Sequence, residues 1–218
     1  MFKRLAVVAV ATLFVVGCTT TDPYTGAQTP NRTANGAILG ALGGAALGTL
    51  AGGNDRKNAM IGAGIGAIAG AGVGAYMDAQ QRKLNEQLRN SGVGVTRTAE
   101  NEITLNMPSD ITFDIDQSNV KPQFRDTLYN VAQTLREYES TTVDVAGHAD
   151  ATGADDYNMA LSQRRADAVA RVLSQNGVNP VRLVSVGFGE SRPITENNTA
   201  DGRSKNRRVE IKLRGVTS

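Results

Sequence analysis

The sequence predicts an α/β sandwich at the C-terminal end of the chain, formed in the order strand, helix, strand, helix, strand, strand. Two observations support this fold class. Short runs in which apolar and polar residues alternate are typical of half-buried strands, whereas apolar residues that recur every three or four positions indicate amphipathic helices. Gly, Pro and Asn residues separate these runs, as expected of turns. Residues 105–218 are numerous enough to form a hydrophobic core of their own.

The first strand and helix of this domain are predicted from residues 111–138. Ile111, Phe113 and Ile115 alternate with other residues, which predicts a strand. Pro122 suits the first turn of a helix, because that turn does not use the N–H that proline lacks. The apolar stripe of this helix consists of Phe124, Leu128, Val131, Leu135 and Tyr138.

The rest of the domain follows the same alternation. Residues 143–145 predict a strand that leads through a turn at Gly153 into a second helix, which ends at Asn176 and Gly177. The last two strands are predicted at residues 183–186 and 209–213. The side chains expected on the solvent-facing side of the sheet are Arg208, Glu210 and Lys212.

Two elements are predicted immediately before this domain. Residues 93–96 and 103–106 alternate and flank a polar turn, which predicts a connecting hairpin at residues 91–104. Residues 77–90 are polar and rich in helix formers, so we expect a helix that extends into solvent.

The glycine-rich segment at residues 36–74 holds 13 of the chain's 24 glycines, many of them four positions apart. Glycines at this spacing share one face of a helix, so two such helices can approach closely, as they do in membranes. A polar connector at residues 53–58 divides the segment in two. We predict a glycine-zipper helical hairpin, with its helical extension, over residues 36–90. A flexible linker is the alternative, although such linkers are usually rich in serine.

The N-terminus has the pattern of a bacterial secretory signal. Lys3 and Arg4 precede an apolar run of 12 residues, which is short for a membrane-spanning helix, and the only cysteine follows at Cys18. We predict a lipoprotein signal peptide at residues 1–17, acylation of Cys18, and a lipidated N-terminus and linker at residues 18–35. An inert, buried cysteine is the alternative.

A candidate binding site is predicted where the second strand ends. Asp150 follows this strand, and Arg165 lies among apolar residues on the next helix, where an unpaired charge is costly. A ligand that carries both an ammonium and a carboxylate would suit the pair, because a guanidinium matches a carboxylate best. A structural Asp150–Arg165 salt bridge is the alternative.

Several spaced motifs resemble those of OmpA-like peptidoglycan-binding domains, and together they span about half of the chain. The motifs are Phe113-Asp114-Ile115-Asp116, Gly147-His148-Ala149-Asp150, Asn158, Leu161-Ser162, Arg165-Ala166 and Asn206-Arg207-Arg208-Val209-Glu210. The glycine-rich segment likewise resembles those of outer-membrane lipoproteins.

The resemblance implies that the domain binds the diaminopimelate residue of the peptidoglycan stem peptide. Asp150 and Arg165 would hold the ligand. The pocket would also include Asp116 and Leu161, with Asn158 and Arg207 as supporting residues. Ala149 stands where the family usually has threonine, so a hydroxyl and some affinity would be lost. Thr19, rather than aspartate, after the cysteine implies sorting to the outer membrane.

Composition excludes several other functions. The chain has 23 basic and 21 acidic residues, and loss of Lys3 and Arg4 with the signal peptide would make the numbers equal, so no nucleic-acid partner is expected. The aspartates around Gly153 lack the alternate-position ligands and closing glutamate of a calcium loop, so neither a metal nor a cofactor is predicted. His148 has no Ser or Cys nucleophile nearby in sequence, which argues against an enzyme and for a packed or solvated side chain.

We therefore predict a lipoprotein of the outer membrane whose periplasmic domain tethers the membrane non-covalently to diaminopimelate-type peptidoglycan. The alternative is a membrane assembly protein that forms homo-oligomers through its glycine zippers.

Overall fold

The computed structural model describes residues 20–21, 28–29, 66–68 and 72–217. The signal peptide, Cys18 and most of the glycine-zipper segment lie outside the described residues, so the predictions made for them remain predictions. Near the N-terminus, Thr20–Thr21 pairs antiparallel with Gln28–Thr29.

A five-stranded sheet forms the centre of the part of the chain that the structure describes. Its strands, in chain order, are β1 (Gly94–Ala99), β2 (Glu102–Pro108), β3 (Thr141–His148), β4 (Leu183–Gly187) and β5 (Arg208–Gly215). They lie in the order β1-β2-β5-β3-β4. β3 and β4 are parallel, whereas the other neighbours are antiparallel. The segments that follow β3 and β4 therefore begin at the same edge of the sheet.

Three long helices pack against the sheet and each other. They are α1 (Val73–Leu88), α3 (Pro122–Glu137) and α4 (Asp155–Gln175), and two short helices complete the domain, α2 (Ser109–Thr112) and α5 (Ala200–Asn206). α4 contacts β3 and β4, while α3 lies between α1 and α4. The α/β prediction is therefore confirmed, with Pro122 at the start of α3 and Gly177, at φ +88°, after the end of α4.

One hydrophobic core joins the helices to the sheet. The predicted stripe of α3 contributes four buried side chains, Phe124, Leu128, Val131 and Leu135. The strands supply fully buried residues at alternate positions, since alternate side chains point to the same face. These are Ile103, Leu105, Met107, Val143, Val145, Val209, Ile211 and Leu213.

The helix at residues 77–90 does not extend into solvent as expected. Met77, Leu84 and Leu88 of α1 are 0–2% exposed and belong to the same core, and they recur at the spacing that places them on one face. The predicted hairpin forms, but β2 pairs with β5 along its whole length and residue 105 lies inside β2. The folded unit thus includes residues upstream of 105, because the core needs both α1 and β2.

The strand predicted at Ile111, Phe113 and Ile115 is wrong. Residues 109–112 form the single turn of α2, Phe113 makes one isolated bridge to Val120, and Ile115 is 90% exposed. The Thr112 hydroxyl donates to the Pro108 carbonyl and stabilises the turn. Three alternating apolar residues are too few to distinguish a strand from a turn that buries one aromatic ring.

The expectation for the other face of the sheet is also partly wrong. Arg208 is 2% exposed, and Glu210 and Lys212 are half-buried rather than solvated. They lie on β5, which is flanked by β2 and β3, so neighbouring side chains cover them. Glu210 accepts a hydrogen bond from Arg208 at 2.8 Å and lies 3.7 Å from the Lys212 ammonium, which compensates for the lost solvation.

Candidate ligand-binding site

A cavity of about 690 Å³ opens between the end of β3, the start of α4 and the segment around α2. Its charged side chains are four carboxylates and four cations: Asp110, Asp114, Asp116, Asp150, Lys121, Arg165, Arg203 and Arg207. Phe113, Ile115, Tyr157 and Leu161 add apolar surface. The balanced charges favour a ligand that carries both signs.

Asp150 lies at the base of this cavity, two residues after β3. The Ala149 N–H donates to the Gly189 carbonyl at 2.8 Å, which connects the segments that follow the two parallel strands. One carboxylate oxygen of Asp150 accepts from the Thr152 N–H at 2.9 Å, and the other accepts from Arg207 at 2.8 Å. A carboxylate has about four lone-pair positions, so Asp150 retains acceptor capacity for a ligand.

Asn158 holds the loop that carries Asp150. It is 4% exposed, and its side-chain amide donates to the Asp150 and Thr152 carbonyls, both at 3.1 Å. Gly153, at φ +97°, makes the turn predicted at this position, because a side chain would be strained there. Asn158 thus lines the cavity and holds this loop, and its supporting role in ligand binding stays a prediction.

Arg165 lies on α4, one turn after Leu161, and both side chains are 5% exposed. Its Nε donates to the Gln117 carbonyl at 2.9 Å, and its guanidinium lies 5.1 Å from the centre of the Phe113 ring. Among the described residues, no carboxylate oxygen comes within 4.0 Å of this guanidinium. Burial lowers the pKa of Arg165, and the charge of Asp116 is the main effect that opposes this shift.

The predicted alternative, an Asp150–Arg165 salt bridge, does not form. Asp150 instead pairs with Arg207, which also lies 3.2 Å from a carboxylate oxygen of Asp110. Burial alone would raise the pKa of Asp150, but hydrogen bonds from Arg207 and Thr152 outweigh it and hold the pKa below its usual value. The two carboxylates in turn raise the pKa of Arg207 against the effect of burial. Asp150 and Arg207 therefore keep their charges at neutral pH.

Asp116 also lines the cavity, in a backbone conformation that is rare for its residue type. Its φ is +56°, the one positive φ outside glycine in the described ranges. It occupies the third position of a turn closed by the Gln117 N–H, which donates to the Asp114 carbonyl at 3.0 Å. Such turns favour Gly or Asn at this position.

Sequence reasoning missed two contributors to the site. Asp110 shares Arg207 with Asp150, and the Gln117 carbonyl orients Arg165. Neither residue belongs to a spaced motif, and Asp110 lies in a segment predicted to lead into a strand. Only the packing of α2 beside the start of β5, where the Ser109 N–H donates to the Arg207 carbonyl at 2.9 Å, brings Asp110 to the cavity.

His148, the other candidate for chemistry that the sequence raised, lies outside the cavity. His148 is packed, as preferred: it is 3% exposed, its ring centre lies 5.5 Å from that of Phe188, and it does not line the cavity. Burial lowers its pKa to about 3. Within the described ranges, no three His, Cys, Asp or Glu side chains are grouped to hold a metal ion.

Comparisons with known proteins identify the family of this chain. Residues 112–207 match the model of the OmpA family, and residues 1–78 match that of YMGG-like Gly-zippers. The chain is 48% identical over 211 residues to the probable lipoprotein YiaD of Escherichia coli K12, covering 96% of this chain and 95% of that protein. The chain belongs to the OmpA family. The match at residues 1–78 also confirms the resemblance of the glycine-rich segment to glycine zippers.

Two further similarities involve a lipoprotein and a solved structure. The peptidoglycan-associated lipoprotein of Brucella melitensis is 32% identical over 141 residues, which are 63% of this chain and 84% of that protein. The structure of the cell wall anchor of the T6SS from Pseudomonas aeruginosa superposes with a TM-score of 0.57 at 29% identity, covering 62% of this chain and 96% of the other.

None of the described helices is both long enough and apolar enough to cross a bilayer.

Proposed function

We propose that this OmpA-family protein is a lipid-anchored tether that binds the diaminopimelate residue of peptidoglycan without covalent chemistry. The observation that carries the proposal is Arg165, a guanidinium 5% exposed to solvent that has no carboxylate within 4.0 Å among the described residues. A buried cation without a counter-ion is costly, and a ligand carboxylate would relieve that cost. Asp150, in the same cavity, supplies the opposite charge for an ammonium.

Diaminopimelate fits this arrangement because its free end carries an ammonium and a carboxylate on one carbon. The Nε of Arg165 is already bonded to Gln117, so the two terminal nitrogens are the donors left for a ligand. They can donate to both oxygens of one carboxylate. Asp150 can accept from the ammonium while it keeps its bonds to Thr152 and Arg207.

The relatives support the attachment to the cell wall. One is named a peptidoglycan-associated lipoprotein, and another is described as a cell wall anchor. The signal-like N-terminus, with Cys18 as the proposed acylation site, supplies the membrane end of the tether. We therefore place the protein in the outer membrane, with its folded domain in the periplasm.

The proposal is tested by co-sedimentation of the full chain, extracted in mild detergent, with purified peptidoglycan sacculi. We expect it to sediment with diaminopimelate-type sacculi and to stay in solution with lysine-type sacculi, because the lysine side chain lacks the terminal carboxylate. Arg165→Ala should abolish sedimentation. Arg164→Ala removes the same charge from the neighbouring, exposed position and is the matched control.

Binding to both wall types with equal strength would contradict the proposal, as would an Arg165→Ala variant that sediments like the original chain. Asp150→Asn should also weaken binding, whereas Asp155→Asn, at an exposed position on the first turn of α4, should not. Release of soluble wall fragments would instead indicate an enzyme.

Self-association is a second candidate function, favoured by the match of residues 1–78 to the Gly-zipper model. We propose that the zippers assemble copies of the chain in the membrane while the domain holds them at the wall. Gly44→Leu should then remove a cross-linkable oligomer and leave sedimentation with sacculi unchanged. An oligomer that survives this substitution would contradict zipper assembly but not the tether proposal.

A further inference from the structure

The wall of the cavity contains an isoleucine that the fold itself does not use. Ile115 is 90% exposed, the largest exposure among the large apolar side chains of the described residues, and it lines the same cavity as Asp150 and Arg165. Burial of an isoleucine side chain is favourable, and here almost none of this gain is realised within the domain. A bound molecule would realise it.

The turn that carries Ile115 has a strained backbone. Ile115 and Asp116 are its two central residues, and Asp116 has a φ of +56° that is unfavourable for a residue with a side chain. The turn is fixed at Gln117, whose carbonyl accepts from Arg165. Strain that persists beside a binding cavity often reflects a functional constraint.

Arg165 therefore connects the charged and apolar parts of the cavity. Its Nε holds the turn that carries Ile115, while its terminal nitrogens remain for a carboxylate. Tyr157, 45% exposed, is a second apolar side chain of the cavity and is close enough to Arg165 to influence its pKa. A ligand held by its charged end would extend its carbon chain along this surface.

We propose that Ile115 determines specificity by packing against the aliphatic chain that connects the two amino-acid ends of diaminopimelate. This inference rests on the proposed function and adds a requirement to it: the ligand must have methylene groups next to its charged end. The charged residues select the ammonium and carboxylate of the ligand, and Ile115 selects the methylene groups next to them.

The test measures the dissociation constant of free diaminopimelate for the full chain in detergent, by equilibrium dialysis. We expect Ile115→Ser to weaken binding about fivefold to tenfold, and Ile115→Leu to bind within about twofold of the original chain. Ile194→Ser is the matched control, because Ile194 is 54% exposed and does not line the cavity. Far-UV circular dichroism checks that each variant is folded.

A second pair of ligands isolates the apolar contact. Norleucine and alanine share one head group and differ by three methylene groups, so the original chain should bind norleucine more tightly. In Ile115→Ser the ratio of the two dissociation constants should fall towards one. An unchanged ratio, or equal weakening by Ile194→Ser, would overturn the role of Ile115 and leave the tether proposal standing. If the original chain binds no diaminopimelate, both proposals are wrong.

Discussion

The carboxylate of Asp150 pairs with the guanidinium of Arg207 at 2.8 Å, and Arg165 lies in the same cavity without such a partner. The two arginines therefore differ in their partners. Arg207 keeps Asp150 ionised and oriented before any ligand arrives, because its hydrogen bond lowers the pKa of that carboxyl. Arg165 uses only its Nε, which donates to the Gln117 carbonyl, and under the proposed function its terminal nitrogens would bind the ligand.

The first prediction concerns the shape of the Arg165 side chain. Arg165→Lys keeps the positive charge but loses the planar fork and the hydrogen bond from Nε to Gln117. We expect diaminopimelate to bind about 10- to 100-fold more weakly, because one ammonium cannot donate to two carboxylate oxygens in parallel. Equilibrium dialysis measures the change, with Arg164→Lys as the control. Equal affinity in Arg165→Lys and the original chain would show that charge alone is sufficient.

The second prediction concerns the ion pairs of Arg207. Arg207→Gln leaves Asp150 and Asp110 without their cation, and we expect unfolding to require about 1–2 kcal/mol less free energy at pH 7. Urea titration followed by circular dichroism measures this. Lys205→Gln is the control, because its pair with Asp201 is largely exposed and should contribute less than about 0.5 kcal/mol.

The contribution of these carboxyls also depends on pH. Their pKa values are lowered in the folded chain, Asp110 through its bonds to Arg207 and Ser204 despite burial, which would raise it. On acidification, these carboxyls are therefore protonated at a higher pH in the unfolded chain than in the folded chain. The stabilisation that they contribute above the ordinary carboxyl pKa is lost as the pH falls below that value. The stability difference between Arg207→Gln and the original chain should shrink as the pH falls below about 4. A constant difference would contradict the ion-pair explanation.

The third prediction concerns Gly147 of β3, where α4 lies directly on the strand. A methyl group at this position would overlap the backbone carbonyl of Ser162, which cannot move without shifting the helix that carries Arg165. We expect Gly147→Ala to reduce the free energy of unfolding by at least about 3 kcal/mol and to reduce binding to sacculi. Gly94→Ala, with only an ordinary contact to Asn106, should change it by less than about 1 kcal/mol. Similar values for the two variants would contradict the close approach of α4.

The fourth prediction uses His148, the chain's only histidine. Its pKa falls from 6.5 to about 3 in the folded chain, because burial and the charge of Arg208 outweigh the opposing charge of Glu210. Below pH 6.5 the imidazole therefore becomes protonated in the unfolded chain but stays neutral in the folded chain. Stability should fall as the pH decreases from 6.5 to 5, with a slope that approaches about 1.4 kcal/mol per pH unit as the imidazole of the unfolded chain becomes fully protonated.

His148→Gln is the test of that assignment. The variant lacks the imidazole, so its free energy of unfolding should be nearly constant between pH 7 and pH 5. Chemical denaturation at each pH provides the measurement. If the original chain and the variant lose stability in parallel, another group is responsible for the pH dependence.

The parts of the domain that could be predicted from sequence are those whose pattern is long or chemically unusual. The stripe of α3 repeats over four turns, and Gly153 and Gly177 mark turns that need positive φ. The segment at Ile111–Ile115 was mistaken for a strand because three alternating residues also fit a helical turn followed by one buried ring. The helix α1 is predicted, but its burial is not, because its three buried apolar residues are separated by many polar ones.

For the site, the sequence by itself determined which groups are available: a carboxylate after β3 and a guanidinium on a buried face of α4. The tertiary structure decided their partners, because pairing depends on distances between segments far apart in the chain. Asp110 and Arg207 are 97 positions apart, and no local pattern reports that they meet at Asp150. Packing likewise decided the exposure of Ile115, because an isoleucine in an alternating run could equally well be buried in the core.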